Sequence, residues 1–170
     1  MRPAVAVLLA AVLTGAASIA PAAPVRTPPP VAGKAIQPYF ASISAGKARM
    51  RTGPARTYPA SWLYQRADLP VRVVAAFKEW RQIEDVDGTR GWMQANLLST
   101  TRTAIVRSPE PIAMLERPTA GAHLMWRAAP GVVGRISQCA NGWCRLDVKG
   151  QAAFVEQPGI WGLAPGETLP

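Results

Sequence analysis

Four basic side chains fall within the stretch Lys47-Ala-Arg-Met-Arg51-Thr-Gly-Pro-Ala-Arg56, and three of them alternate with the small or apolar Ala48 and Met50. In an extended strand that alternation turns Ala48 and Met50 to one side and Lys47, Arg49 and Arg51 to the other. Such a face is either a solvated exterior or an arm for an anionic partner.

Aromatic residues shift the balance toward a partner. Tyr58, Trp62 and Tyr64 follow the basic stretch, and Trp80 shares a strand face with Gln82 and Glu84, opposite Ile83. Trp143 goes in the same way with Arg145 and Asp147, opposite Leu146 and Val148. A tryptophan on a polar face is not placed to fill a core, so both rings are expected at the surface. Rings and guanidinium groups together suit a sugar polymer that carries carboxylates or phosphates, because sugars stack on the rings and anions take the forks. The candidate ligand-binding set is Lys47, Arg49, Arg51, Tyr58, Trp62, Tyr64, Trp80 and Trp143. Trp92 is expected to pack within its own fold.

Little else in the chain is placed for catalysis. The one histidine, His123, lies between Ala122 and Leu124 with no nucleophile or carboxylate motif beside it. Glu84 and Asp85 are neighbours and point to opposite faces of a strand, while Asp87 belongs to a turn with Gly88. Neither a glycine-rich phosphate loop, a nucleophile elbow nor a His/Cys metal set is present. The expectation is a protein without catalysis, cofactor or metal.

Cys139 and Cys144 flank Ala-Asn-Gly-Trp. If Asn141-Gly142 forms a two-residue hairpin turn, Ala140 and Trp143 close it and the cysteines face each other at a non-hydrogen-bonded position, roughly 4.5 Å apart at Cα. A structural disulfide is favoured there over a free or reactive pair in an oxidising compartment.

The elements that must position these residues are repeated. Shifting the chain by 63 puts Trp143 on Trp80, and a shift of 62 puts Gly150 on Gly88 and Phe154 on Trp92; one residue lost in a turn accounts for the change. Met50-Arg-Thr-Gly-Pro54 has a fainter echo in Leu115-Glu-Arg-Pro118. Each unit of about 60 residues consists of short β-rich runs between turn signals, with no helix of 10 or more residues. The expected strands of the first unit are 47–51, 62–65, 71–77, 80–86 and 89–94, closed by 103–106. Asp87-Gly88 and Asn141-Gly142 read as tight hairpin turns, and Lys149-Gly150 as a weaker one.

The N-terminal segment places Arg2 before an apolar run from Ala4 to Leu13 and then small residues, the layout of a secretory signal peptide over 1–22. Residues 23–38 are rich in Pro and Ala and read as an extended linker. Of 19 basic residues, 18 remain without Arg2, against 10 acidic. The excess sits in the first half: from Lys34 to Arg102 there are 11 basic and 5 acidic residues, and from Thr103 onward 6 and 5. That asymmetry points the first unit toward an anionic surface or polymer. For an exported chain nucleic acid is not the target, and without its signal it has no segment for stable membrane insertion.

Taken together, Met50-Arg-Thr-Gly-Pro54 with Tyr58-Pro59, Val71-Arg-Val-Val74, the turn before Trp80, and Asp87-Gly-Thr-Arg-Gly-Trp92 resemble the bacterial SH3 (SH3b) domain family of exported proteins. A second copy is carried by Gly131-Val-Val-Gly134, Gly142-Trp-Cys144 and Trp161-Gly162. It departs from the pattern at Ala153-Phe154, where the family has Gly-Trp, and at Glu116-Arg-Pro118. The resemblance implies an all-β fold of two tandem small SH3-like barrels, over 39–106 and 107–167, used for binding in the cell envelope and not for catalysis. The expected partner is an anionic cell-wall glycan such as peptidoglycan, bound through the first barrel; the alternative is an adaptor for another envelope protein. The expected location is periplasmic or secreted.

Overall fold

The computed structural model describes residues 33–170, so the expected signal peptide and residues 23–32 of the expected linker lie outside the described residues. The first half contains β1 (Lys34–Ile43), β2 (Ala48–Arg51), β3 (Ala60–Tyr64), β4 (Pro70–Phe77), β5 (Trp80–Glu84), β6 (Arg90–Gln94) and β7 (Leu98–Ser99). The second contains β8 (Thr103–Val106), β9 (Ile112–Leu115), β10 (Leu124–Ala128), β11 (Val133–Ala140), β12 (Trp143–Val148), β13 (Gln151–Glu156) and β14 (Ile160–Trp161). A single 3-10 turn, Ala95–Leu97 in one half and Gln157–Gly159 in the other, precedes the last strand of each.

These strands form two seven-stranded sheets, ordered β3-β2-β6-β5-β4-β1-β7 and β10-β9-β13-β12-β11-β8-β14. Adding seven to each strand of the first order gives the second, so the repeat read in the sequence is a repeat of topology. Each sheet curls around its own core. In the first, Ala48 and Met50 point inward beside Val71, Val73, Ile83 and Met93. In the second, Met114, Leu146 and Val155 do the same. The all-β, tandem architecture holds.

Two boundaries differ from expectation. Thr103–Val106, expected to close the first barrel, opens the second: β8 pairs with β11 (Val133↔Ile105) and with β14 (Ile160↔Val106). Its counterpart in the first barrel is β1, which begins at Lys34 inside the expected linker. Pro38 hid this strand. It falls where the ladder between β1 and β4 is interrupted, between Ala35 and Tyr39, so its missing N–H breaks no pairing.

The turns explain the hairpins. Asn141 and Gly142 (φ 51° and 82°) and Lys149 and Gly150 (54° and 89°) both supply the paired positive φ that a two-residue turn needs. Asp87-Gly88 does not, because only Gly88 is left-handed, at 82°. There the Gly88 N–H donates to the Asp85 carbonyl (3.0 Å) and the Asp85 N–H to the Thr89 carbonyl (3.1 Å), giving a three-residue loop. The Asp85 carboxylate braces it, accepting from the N–H groups of Asp87 (3.1 Å) and Thr89 (2.9 Å).

Each barrel is strapped at the tip of its central hairpin. In the first, Lys34 and Ala35 pair with Ala76 and Ala75 at the end of β4. In the second, Leu169 from the C-terminal tail bridges to Cys139 at the matching place on β11. Cys139 and Cys144 are joined as expected (S–S 2.02 Å, Cα–Cα 4.1 Å), and both are fully buried in the second core.

Only Thr100–Arg102 separates the barrels. Arg102 donates from Nη1 and Nη2 to the two carboxylate oxygens of Glu167 (2.6 and 3.1 Å) and from Nη2 to the Gly162 carbonyl (3.0 Å). Phe40 meets Trp161 edge to face, centroids 5.1 Å apart. The hydrogen bonds from Arg102 hold the Glu167 carboxyl below its ordinary range, against the opposing effect of burial. A carboxyl depressed by folding stabilises the folded state above its unfolded pKa, about 4.3, and that contribution fades as pH falls through the lower folded value. Between pH 6 and pH 3 the urea midpoint of the wild type is therefore expected to fall further than that of Glu167→Gln. Parallel curves for the two proteins would show that the pair contributes nothing.

Candidate functional site

The basic stretch folds as the alternation requires. Ala48 and Met50 are buried, Lys47 and Arg49 stand in solvent, and Arg51 is half-buried. Lys47, Arg49, Arg51 and Arg56 converge on one open cleft of about 290 Å³, whose other walls are Trp80, Gln94 and Leu97. The strand ladder places them: Arg51 lies across from Trp92, and Trp80 across from Gln94. Gly53-Pro54 then turns the chain so that Arg56 comes back to the same opening. Tyr58 packs over Gly53, where a Cβ would overlap its ring. The Tyr58 carbonyl accepts from Arg51 Nη1 at 2.6 Å, which fixes that guanidinium at the rim.

The cations of this cleft are uncompensated. Among the described residues, Lys47, Arg49, Arg51 and Arg56 form no ion pair. Two carboxylates of this barrel, Glu84 and Asp85, are engaged elsewhere. Glu84 accepts from Arg72 (2.8 Å) and Arg90 (2.6 Å) in a row across three strands, and Asp85 holds the hairpin loop.

Three expected site residues need correction. Trp80 does lie on the face opposite Ile83, yet it is only 4% exposed, packed with Ala75, Trp92 and Phe77 in a cluster separate from the main core. The strap accounts for this: Ala35 pairs with Ala75, and Gly33 lies so close to the Trp92 ring that a Cβ would overlap it. Trp80 therefore borders the cleft and offers no broad stacking platform. Tyr64 is buried in the main core, its hydroxyl donating to Asp85 Oδ2 at 2.8 Å. Burial, then the Asp85 bond and charge, push its pKa far above the ordinary tyrosine value. Tyr64 is a core anchor and no ligand contact. Trp62 is 58% exposed, as expected, but on the edge strand outside the cleft. Leu63, across from Arg49 on β3, is also exposed.

Gln94 and Leu97 were not anticipated. Gln94 had a legible signal, since it sits two residues after Trp92 on the outward-facing register; Leu97 had none, because it depends on the 3-10 turn.

Trp143 occupies the corresponding cleft of the second barrel, with Ile112, Ala113, Leu115, Val155, Glu156 and Gly159. Matching cross-strand pairs establish the equivalence: Trp80↔Gln94 and Trp143↔Glu156, Arg51↔Trp92 and Leu115↔Phe154, Met50↔Trp62 and Met114↔Trp126. The positions of Arg49 and Arg51 are thus held by Ala113 and Leu115. The second cleft has lost the cations that line the first.

No group of three or more side chains suited to hold a metal occurs among the described residues, and no helix among them is long and apolar enough to cross a membrane.

Two small curled sheets in tandem, each with an open cleft beside its central hairpin, define a double small-barrel protein. The family model for the bacterial SH3 domain matches residues 44–100 and 108–162, and the chain belongs to that family. No curated protein sequence matches the chain closely enough to count as a relative. Among solved structures it is similar to NlpC1 from Trichomonas vaginalis, at 8% identity and a TM-score of 0.34, over 75% of this chain and 48% of that one. NlpC2 from the same organism gives 8%, 0.33, 74% and 48%. A Listeria monocytogenes protein designated an autolysin gives 14%, 0.31, 77% and 64%. The chain spans about half the length of the two Trichomonas proteins.

Proposed function

We propose that this protein is an exported, non-catalytic binding module of the cell envelope, and that its first barrel grips an anionic wall glycan through the cleft of Lys47, Arg49, Arg51 and Arg56. The observation that carries this reading is the convergence of four cations, none with a carboxylate partner among the described residues, on one open cleft that the second barrel repeats without them. Solvated charges with no partner to neutralise them would be spread by mutual repulsion; gathered around an opening, they suit carboxylates or phosphates. Membership of the bacterial SH3 family supports a binding role in the envelope. Location in the periplasm or outside the cell is part of the same proposal and rests on the N-terminal sequence.

The test is co-sedimentation of the mature protein with purified sacculi across a salt series. Charge-driven contact weakens as the Debye length shrinks from about 10 Å at 0.1 M to about 3 Å at 1 M. The retained fraction is expected to fall steeply over that range. Retention that does not change with salt, or none at low salt, rejects the reading.

A further inference from the structure

We infer that the cleft of the second barrel is a separate site for an aliphatic ammonium, a lysine-like side chain presented by a peptide, and that the two clefts have diverged to opposite charge preference. The ammonium site goes beyond the anionic site of the first barrel and stands without it; only the contrast in charge preference rests on that reading.

The second cleft keeps the frame of the first and exchanges its lining. Gln94, across from Trp80, becomes Glu156, across from Trp143. Arg49 and Arg51 become Ala113 and Leu115, and Ile112 and Val155 add further aliphatic wall. The cleft measures about 240 Å³, enough for a single side chain. Its indole is more open than its counterpart: Trp143 is half-buried, because the position of Phe77 is taken by Ala140 and the position of Trp92 by Phe154.

An indole, a carboxylate beside it and an aliphatic wall make a complement to one chemistry. The ammonium head is attracted by the face of the indole and by the carboxylate. The methylene stem lies along Ile112 and Leu115, where its burial is favourable. A carboxylate or phosphate meets only Glu156 and is repelled. Glu156 forms no ion pair among the described residues, so its charge is available. The nearby basic residues, Arg127 across from Ala113, Arg145 across from Phe154 and Arg107, whose N–H donates to the Gly159 carbonyl (3.0 Å), do not line the cleft. A sugar amine lacks the flexible stem that the aliphatic wall would cover.

The test follows the indole N–H signals of Trp143 and Trp80 by NMR in the full mature chain, titrated with Nα-acetyl-lysine amide. Saturable movement of the Trp143 signal alone is expected, with Nα-acetyl-norleucine amide and glucosamine each at least fivefold weaker. Glu156→Gln is expected to reduce lysine-amide binding at least fivefold while leaving the remaining indole signals in place, which shows that the barrel is intact. Equal binding of norleucine amide would reduce the cleft to an apolar slot, equal binding of glucosamine would remove the preference for a stem, and movement of Trp80 to the same extent would remove the divergence; each overturns the inference. Because lysine-amide binding is read at Trp143 in the second barrel, its failure leaves the salt-dependent retention by sacculi untouched, and the reverse.

Discussion

Trp80→Ala is expected to destabilise the first barrel by about 3–5 kcal/mol, the range for removing a large aromatic from a packed site. The size of the effect follows from where the ring sits. Trp80 lies with Ala75, Trp92 and Phe77 on the outward face of the sheet, beneath the strap that β1 lays along β4. Truncation leaves a cavity under the strap, and Trp92 loses its largest neighbour. The cavity cannot collapse cheaply, because Gly33 already touches Trp92 and the pairing of Ala35 with Ala75 fixes the backbone above it. Urea unfolding followed by tryptophan fluorescence measures the change. The matching Trp143→Ala is expected to cost less, since Trp143 is only half-buried. A loss below about 1 kcal/mol at position 80 would mean that the outer cluster contributes little packing.

The burial of Trp80 also shows where the sequence stops informing. Periodicity assigned its face correctly, because side chains of a strand alternate and Ile83 had to point inward. What covers that face comes from Gly33 to Ala35, more than forty residues upstream, in a stretch that Pro38 made look like linker. Local pattern cannot reveal a roof supplied by a distant segment. Trp62 and Tyr64 teach the same lesson at the edge of the sheet. They share a strand parity, yet Tyr64 is buried and Trp62 is open. Trp62 stands on the edge strand next to a bulge at Ser61, the extra β3 residue between the pairs Met50↔Trp62 and Arg51↔Ala60, whereas Tyr64 lies further along the regular ladder across from buried Ala48. The basic stretch was legible because it is local: the alternation on β2 and the Gly53-Pro54 turn place its charges without help from elsewhere. The turn between β4 and β5 was placed by the strands on either side and not by its own residues, since Lys78 takes a positive φ of 49° with neither Gly nor Asn to announce it. Thr103–Val106 was found as a strand and given to the wrong barrel, since strand propensity says nothing of which sheet a strand joins.

Arg49→Glu combined with Arg51→Glu is expected to lower retention by sacculi at low salt by a hundredfold or more. A hydrogen bond to a charged group contributes roughly 1.5–3 kcal/mol, and each 1.4 kcal/mol is tenfold in affinity. Losing two such contacts and adding two repulsive charges to the rim exceeds what Lys47 and Arg56 can offset. Fold loss must be separated from contact loss. Arg49 forms no ion pair and stands in solvent, so its reversal leaves the barrel intact. Arg51 donates to the Tyr58 carbonyl, and at this half-buried site its removal costs about 1.5 kcal/mol of stability, the low end for a bond from a charged group. Arg51→Ala, which loses that bond without adding negative charge, is expected to share the stability cost and to retain more binding than Arg51→Glu. The reciprocal experiment uses the second cleft as a blank. Ala113→Arg with Leu115→Arg places two cations on the same frame and is expected to raise retention by sacculi above the wild type. If the double reversal leaves retention unchanged while the protein remains folded, the cleft of the first barrel is a solvated face and the polymer is held elsewhere.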